Sequence, residues 1–164
     1  MAPAREIGRF TFTAAEITRF AGAFDPRAVH VDAEAARQSP FGGLVAAGWH
    51  VVCVWMGLFV RALGPVEAMG DEGAPPLPPD HPRVVSPVGV GFGLRALEWT
   101  APVHAGETLL FLTEVVEARP SGSRPGWTIV RRRNSAQRAD GTEVMSFELR
   151  HMAPDGAVEI AAAP

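Results

Sequence analysis

Apolar positions recur along this chain first at helical spacing, then as one unbroken run, and finally in alternation. In residues 13–24, Ile17, Phe20, Ala21 and Phe24 fall on one face of a helix, and Thr13 and Glu16 have the spacing of a capping box, so a short amphipathic helix is predicted. Pro26 ends it, and Asp32 can cap a second short turn over residues 33–37. Residues 41–60 contain no Asp, Glu, Lys or Arg, and His50 is the one side chain there that charges near neutral pH. As a continuous helix of ~20 residues this run would reach the ~30 Å of a bilayer core. Gly42 and Gly43 assign its front to a loop and leave a helix over residues 46–63, closed by Gly64. Residues 65–87, rich in Pro and Gly, lack periodicity and are read as a loop excursion.

Four strands are predicted after it, over residues 88–99, 108–118, 127–139 and 143–152. In the last, Met145, Phe147 and Leu149 alternate with Val144, Ser146 and Glu148, and Asp140-Gly141 marks a hairpin turn before it. These strands are too few to cross a bilayer as a closed barrel, and a helix apolar on all sides fits equally well inside a sheet. The expected class is therefore α+β, an antiparallel sheet wrapped round one buried helix. The sheet's far face then calls for a second layer or a homodimer.

Composition narrows the chemistry. With 164 residues, one domain spanning 1–164 is expected. A net charge of -3 speaks against a polyanion such as nucleic acid as partner. Cys53 is the single cysteine, so no intramolecular disulfide or cysteine-rich metal site can form. Without a secretory pattern in its first ten residues, the chain is expected to be cytoplasmic. All 15 basic residues are arginine, and tyrosine is absent, which excludes lysine Schiff bases, a P-loop lysine and a tyrosine acid. Chemistry must run on Asp, Glu, His, Ser, Cys or backbone groups.

Asp25 and His30 flank a Pro-containing turn and can point into one cleft, where a carboxylate and an imidazole share acid and base duties. The same two residue types also serve as a turn former and as an ordinary core or surface ring. Gly48 lies near the start of the long helix, whose unpaired N–H groups carry partial positive charge suited to a thioester oxygen. It can equally be a packing glycine. His50 reads as a substrate contact or as a helix residue bonded to a backbone carbonyl. Cys53 is expected in the core, and His81, His104 and His151 at the surface; no two histidines have metal-ligand spacing. Alternation puts Arg131 and Arg133 on one face and Arg132 on the other, and Arg124 with Arg131 could meet a phosphate or simply be solvated.

The segment Phe24-Asp25-Pro26-Arg27-Ala28-Val29-His30-Val31-Asp32, with Ala35-Ala36-Arg37, Ser39-Pro40-Phe41-Gly42-Gly43-Leu44-Val45 and Gly48-Trp49-His50, resembles the hydratase motif of MaoC-like dehydratases and (R)-specific enoyl-CoA hydratases. Pro102-Val103-His104-Ala105-Gly106-Glu107-Thr108 is similar to a second turn of that family, with Glu107 for Asp, and Ser146-Phe147-Glu148 sits where the family ends its last long strand. The resemblance implies a hot-dog fold, usually dimeric, binding an acyl-CoA or acyl-carrier-protein thioester without a cofactor or metal. It assigns the catalytic pair to Asp25 and His30 and the backbone donor to the thioester oxygen to Gly48; Trp49, His50 and Met56 are expected beside them as substrate contacts. Two departures stand out. Ala47 precedes the glycine where hydratases often have His, and Met56 replaces a helix serine, giving an apolar wall. A hot-dog thioesterase and a non-catalytic acyl-thioester binder are the competing readings.

Overall fold

A computed structural model describes residues 3–62 and 91–155. Its elements in chain order are β1 (Arg5–Thr11), α1 (Ala14–Phe24), α2 (Ala28–Val31), α3 (Ala33–Arg37), α4 (Gly48–Ala62), β2 (Gly91–Trp99), β3 (Thr108–Pro120), β4 (Trp127–Gln137) and β5 (Glu143–Pro154). The strands form one antiparallel sheet in the order β1-β3-β4-β5-β2, with α4 packed on its inner face. The proposed excursion over residues 65–87, the first residues of the predicted 88–99 strand, and His81 lie outside the described residues.

Local chemistry sets the helical elements as the sequence suggests. The Thr13 hydroxyl accepts the Glu16 N–H at 3.2 Å, and the Asp32 carboxylate accepts those of Glu34 and Ala35 at 2.9 and 3.1 Å. α4 starts at Gly48, two residues later than expected, because Ala46 is drawn into an extended segment: its N–H donates to the Val103 carbonyl at 2.8 Å, and Val45 forms an isolated bridge with His104.

β1 was not anticipated. Ile7 is its one buried residue and Gly8 interrupts the alternation, so its sequence carries no two-residue period. The register against β3 shifts between Glu6 and Gly8, where Gly8 takes φ +144° and Leu58 of α4 packs so closely that a Cβ would lie 2.9 Å from it. Deeper in the core, Trp55 stacks on Phe59 at 4.9 Å and meets the edge of Phe147 at 4.7 Å, locking α4 to β5.

Two expectations about α4 and its neighbours are corrected. The helix is not buried on all sides: Val51, Val52, Trp55 and Phe59 face the sheet, while Trp49, Cys53 and Met56 line an exposed stripe. A single sheet covers only one side of a helix, so Cys53 is not a core residue. Nor is His151 at the surface. Its position on β5 points inward, where it is buried and its Nε2 accepts the Arg132 Nε–H at 3.1 Å. Arg132 is itself buried on the face opposite Arg131 and Arg133, as alternation requires, with its guanidinium 5.6 Å from the centre of the Phe59 ring.

His50 and His151 are neutral in the fold. Burial pushes each imidazole down to about 4 from the usual 6.5, helped at His151 by the Arg132 charge. A folded value below the unfolded one means that the open chain binds more protons between those limits. Stability is complete above about 6.5 and is lost as pH falls towards about 4. The urea midpoint should therefore drop steadily between about pH 7 and about pH 4.5, and His50→Phe should flatten that slope by about half. An unchanged slope in the variant would remove His50 from the account.

Candidate active site

The turn after α1 builds the site. The Asp25 N–H closes the helix on the Ala21 carbonyl at 2.8 Å, Pro26 cannot continue it, and the Arg27 N–H folds back to the Asp25 carbonyl at 2.8 Å. α2 follows as a single turn that carries His30 inward. Its ring is 5% exposed, and Nδ1 lies 2.7 Å from the Val45 carbonyl. A carbonyl only accepts, so Nδ1 holds a proton, and Nε2 is the nitrogen whose lone pair is bare whenever the ring is neutral. That nitrogen stands 3.5 Å from Asp25 Oδ2.

Arg27 joins the pair. Its Nε and Nη2 donate to the two Asp25 oxygens at 2.7 and 2.6 Å, and Nη2 is also 3.3 Å from His30 Nε2. The hydrogen bonds from Arg27, together with its charge, hold the Asp25 carboxyl below the usual carboxylate range despite some desolvation.

These residues open on a cleft of about 430 Å³ that also touches Gly48, Trp49 and Trp99. Gly48 begins α4, so its N–H belongs to the first turn and lacks an intrahelical acceptor. The Trp99 indole lies directly on it: a Cβ on Gly48 would sit 2.5 Å from Trp99 Cε2 and 2.7 Å from Nε1. Trp99 reaches this place from the end of β2, where the register against β5 slips between Arg95 and Glu98 and Ala96 adopts φ 48°. Such a bulge re-aims the side chains beyond it. The Trp49 and Trp99 rings meet edge to face at 5.6 Å. Asp25 and Trp49 also border a second, mostly apolar cavity of about 320 Å³ with Phe20, Phe24 and Cys53.

The structure thus brings Asp25, His30, Gly48 and Trp49 together. His50 and Met56, expected as substrate contacts, do not line this cleft. The His50 ring is 4% exposed, stacks on Phe20 at 4.4 Å and meets Phe12 at 5.1 Å, and its Nδ1 has no hydrogen-bond partner, so the backbone-bonded alternative does not hold either. On a helix, position 50 is rotated about 200° from position 48, which sends it to the side facing β1 and α1. Met56 is exposed on the outer stripe. His104, expected at the surface, is only partly exposed, with Nε2 3.0 Å from the Phe41 carbonyl. Neither Arg124 nor Arg131 lines the cleft: Arg124 covers the Trp127 ring, and Arg131 pairs with Glu117 and Glu148. Arg27 and Trp99 are the two residues that sequence reasoning missed. Arg27 was visible as the one cation between Asp25 and His30, whereas nothing local links Trp99 to Gly48.

A five-stranded antiparallel sheet packed on one long helix is the architecture of a hot-dog domain. Comparison with known proteins places it further. Residues 2–72 match the model of the MaoC like domain. The solved MaoC-like dehydratase from Rhodospirillum rubrum is 31% identical, with 94% of this chain covering 93% of that one at a TM-score of 0.71. The chain belongs to the MaoC-like family. The (R)-hydratase PhaJ1 from Pseudomonas aeruginosa shares the fold at 23% identity and a TM-score of 0.65, over 100% of this chain and 89% of that one. YdeM of Bacillus subtilis (strain 168), an uncharacterized protein, is 25% identical over 68% of this chain, and the match spans 65% of YdeM's length.

Proposed function

We propose that this protein is an acyl-thioester hydratase or dehydratase acting on an enoyl-CoA-type substrate. The observation that carries this reading is the convergence of Asp25 and His30 on the cleft that also holds the amino end of α4. A water held in the cleft beside the carboxylate and the imidazole gives up a proton to one of them as its oxygen bonds to the β-carbon. The electron pair of the double bond moves to the thioester oxygen, where the Gly48 N–H and the dipole of α4 stabilise it. The protonated group then delivers its proton to the α-carbon, so that one water has been added; elimination is the reverse. The chemistry needs no metal or redox partner. The likeness to a solved MaoC-like dehydratase and to the (R)-hydratase PhaJ1 supports the reading. A second copy of the chain is the proposed cover for the apolar stripe Trp49, Cys53 and Met56.

Crotonyl-CoA and longer enoyl-CoA thioesters test it. Loss of the enoyl absorbance is expected with the native chain. Release of free thiol would make the protein a thioesterase, and binding without turnover at every chain length a non-catalytic binder.

A further inference from the structure

Arg27 has no part in the steps above, yet its position is built rather than incidental. The Asp25-Pro26-Arg27 backbone turns back on itself, which sets both side chains on the same side. The fork of the guanidinium meets both carboxylate oxygens, and Nη2 lies within reach of both Oδ2 and His30 Nε2. Without a donor there, a bare imidazole nitrogen would face a carboxylate oxygen at 3.5 Å, lone pair to lone pair. One N–H between them turns that repulsive approach into a bridge. An ordinary exposed ion pair contributes little to stability. Two features set this one apart: the bidentate geometry and the third contact to a buried ring.

We propose that Arg27 is a positioning residue for the hydration reaction, acting through Asp25 and His30 by orienting the carboxylate on the imidazole and bridging the two, rather than by contacting the substrate. The proposal rests on the hydratase reading. Its consequence for pH follows from the surroundings of Asp25. Among the described residues, α2 and its cap contribute Arg27 and His30, α4 contributes the Cys53 thiol across the apolar cavity, α1 contributes Phe20 and Phe24, and the facing residues 99–103 are uncharged. Arg27 is thus the permanent positive charge on this carboxylate, and removing it raises the pH at which Asp25 becomes a base.

The test uses Arg27→Gln and Arg27→Lys in the full chain. Expected for Arg27→Gln are a kcat about tenfold lower at neutral pH, a KM changed less than about twofold, and an acid limb of the rate profile displaced to higher pH. Arg27→Lys, which keeps the charge and loses the fork, should fall between that variant and the native chain. Independently of turnover, the carbon-13 carboxyl signal of Asp25, assigned with Asp25→Asn, should titrate at higher pH in Arg27→Gln. An unmoved acid limb and an unmoved carboxyl titration would overturn the proposal. So would a raised KM with an unmoved limb, which assigns Arg27 to an anionic part of the substrate. If the native chain hydrates no enoyl thioester, the functional reading fails, and the carboxyl titration alone decides for or against the clamp.

Discussion

Replacing His30 with alanine is expected to reduce kcat for enoyl-thioester hydration by about 10²- to 10⁴-fold, the range that a positioned acid–base group supplies. Asp25→Asn should fall in the same range: the amide keeps the size of the carboxylate but cannot accept a proton, and it forfeits one half of the charge-assisted contact with Arg27. The two losses should not add, because each group is useful only through the other. A double variant no slower than the worse single variant is the expected signature. His30 is buried and tied to the Val45 carbonyl, so its removal also loosens the fold. Asp25 is more exposed, and Asp25→Asn should leave the melting temperature nearly unchanged. Native-like kcat in a folded Asp25→Asn protein would end the acid–base assignment.

Gly48→Ala is the second large effect. The added methyl group would enter the Trp99 ring at 2.5 Å, so either the indole must swing away or the start of α4 must shift. Overpacking of this kind costs about 1–3 kcal/mol, and a comparable loss in the reaction would lower kcat/KM by about tenfold or more. The strain is relieved if the partner shrinks. Trp99→Ala in the same chain should recover most of the stability lost in Gly48→Ala, measured as a coupling in a double-mutant cycle. Additive losses would mean that the ring does not rest on Gly48. Recovery of stability without recovery of kcat/KM would separate two roles of this glycine, a seat for the indole and a backbone donor.

The sequence made the approach of Asp25 and His30 legible because its determinants are local. A cap at Thr13, a stop at Pro26 and the short path from Asp25 to His30 bring the two side chains together with little help from the rest of the chain. The long helix and the last three strands were legible for a similar reason, since their apolar periods run over many residues. Three things were not. β1 lacks alternation because its bulge at Gly8 accommodates Leu58, a residue fifty positions on. The exposure of Cys53 and the burial of His151 depend on which side of α4 the sheet covers, which hydropathy does not encode. Trp99 arrives at Gly48 through a register slip that only pairing with β5 creates. His50 shows the limit from the other side: it adjoins Trp49 in sequence and belongs to the resembling motif, yet one step along a helix turns it away from the cleft into an aromatic nest.

The bulge in β2 carries a consequence for how such a pocket can be modified. Asp25, Arg27 and His30 are fastened to one another by bonds within six residues of chain, whereas the indole opposite them hangs from the outermost strand of the sheet, held by a backbone kink at Ala96. The polar cluster and the aromatic wall facing it are thereby anchored to separate parts of the molecule. Changes along that perimeter strand can reshape what the pocket admits while leaving the Asp25–Arg27–His30 cluster intact.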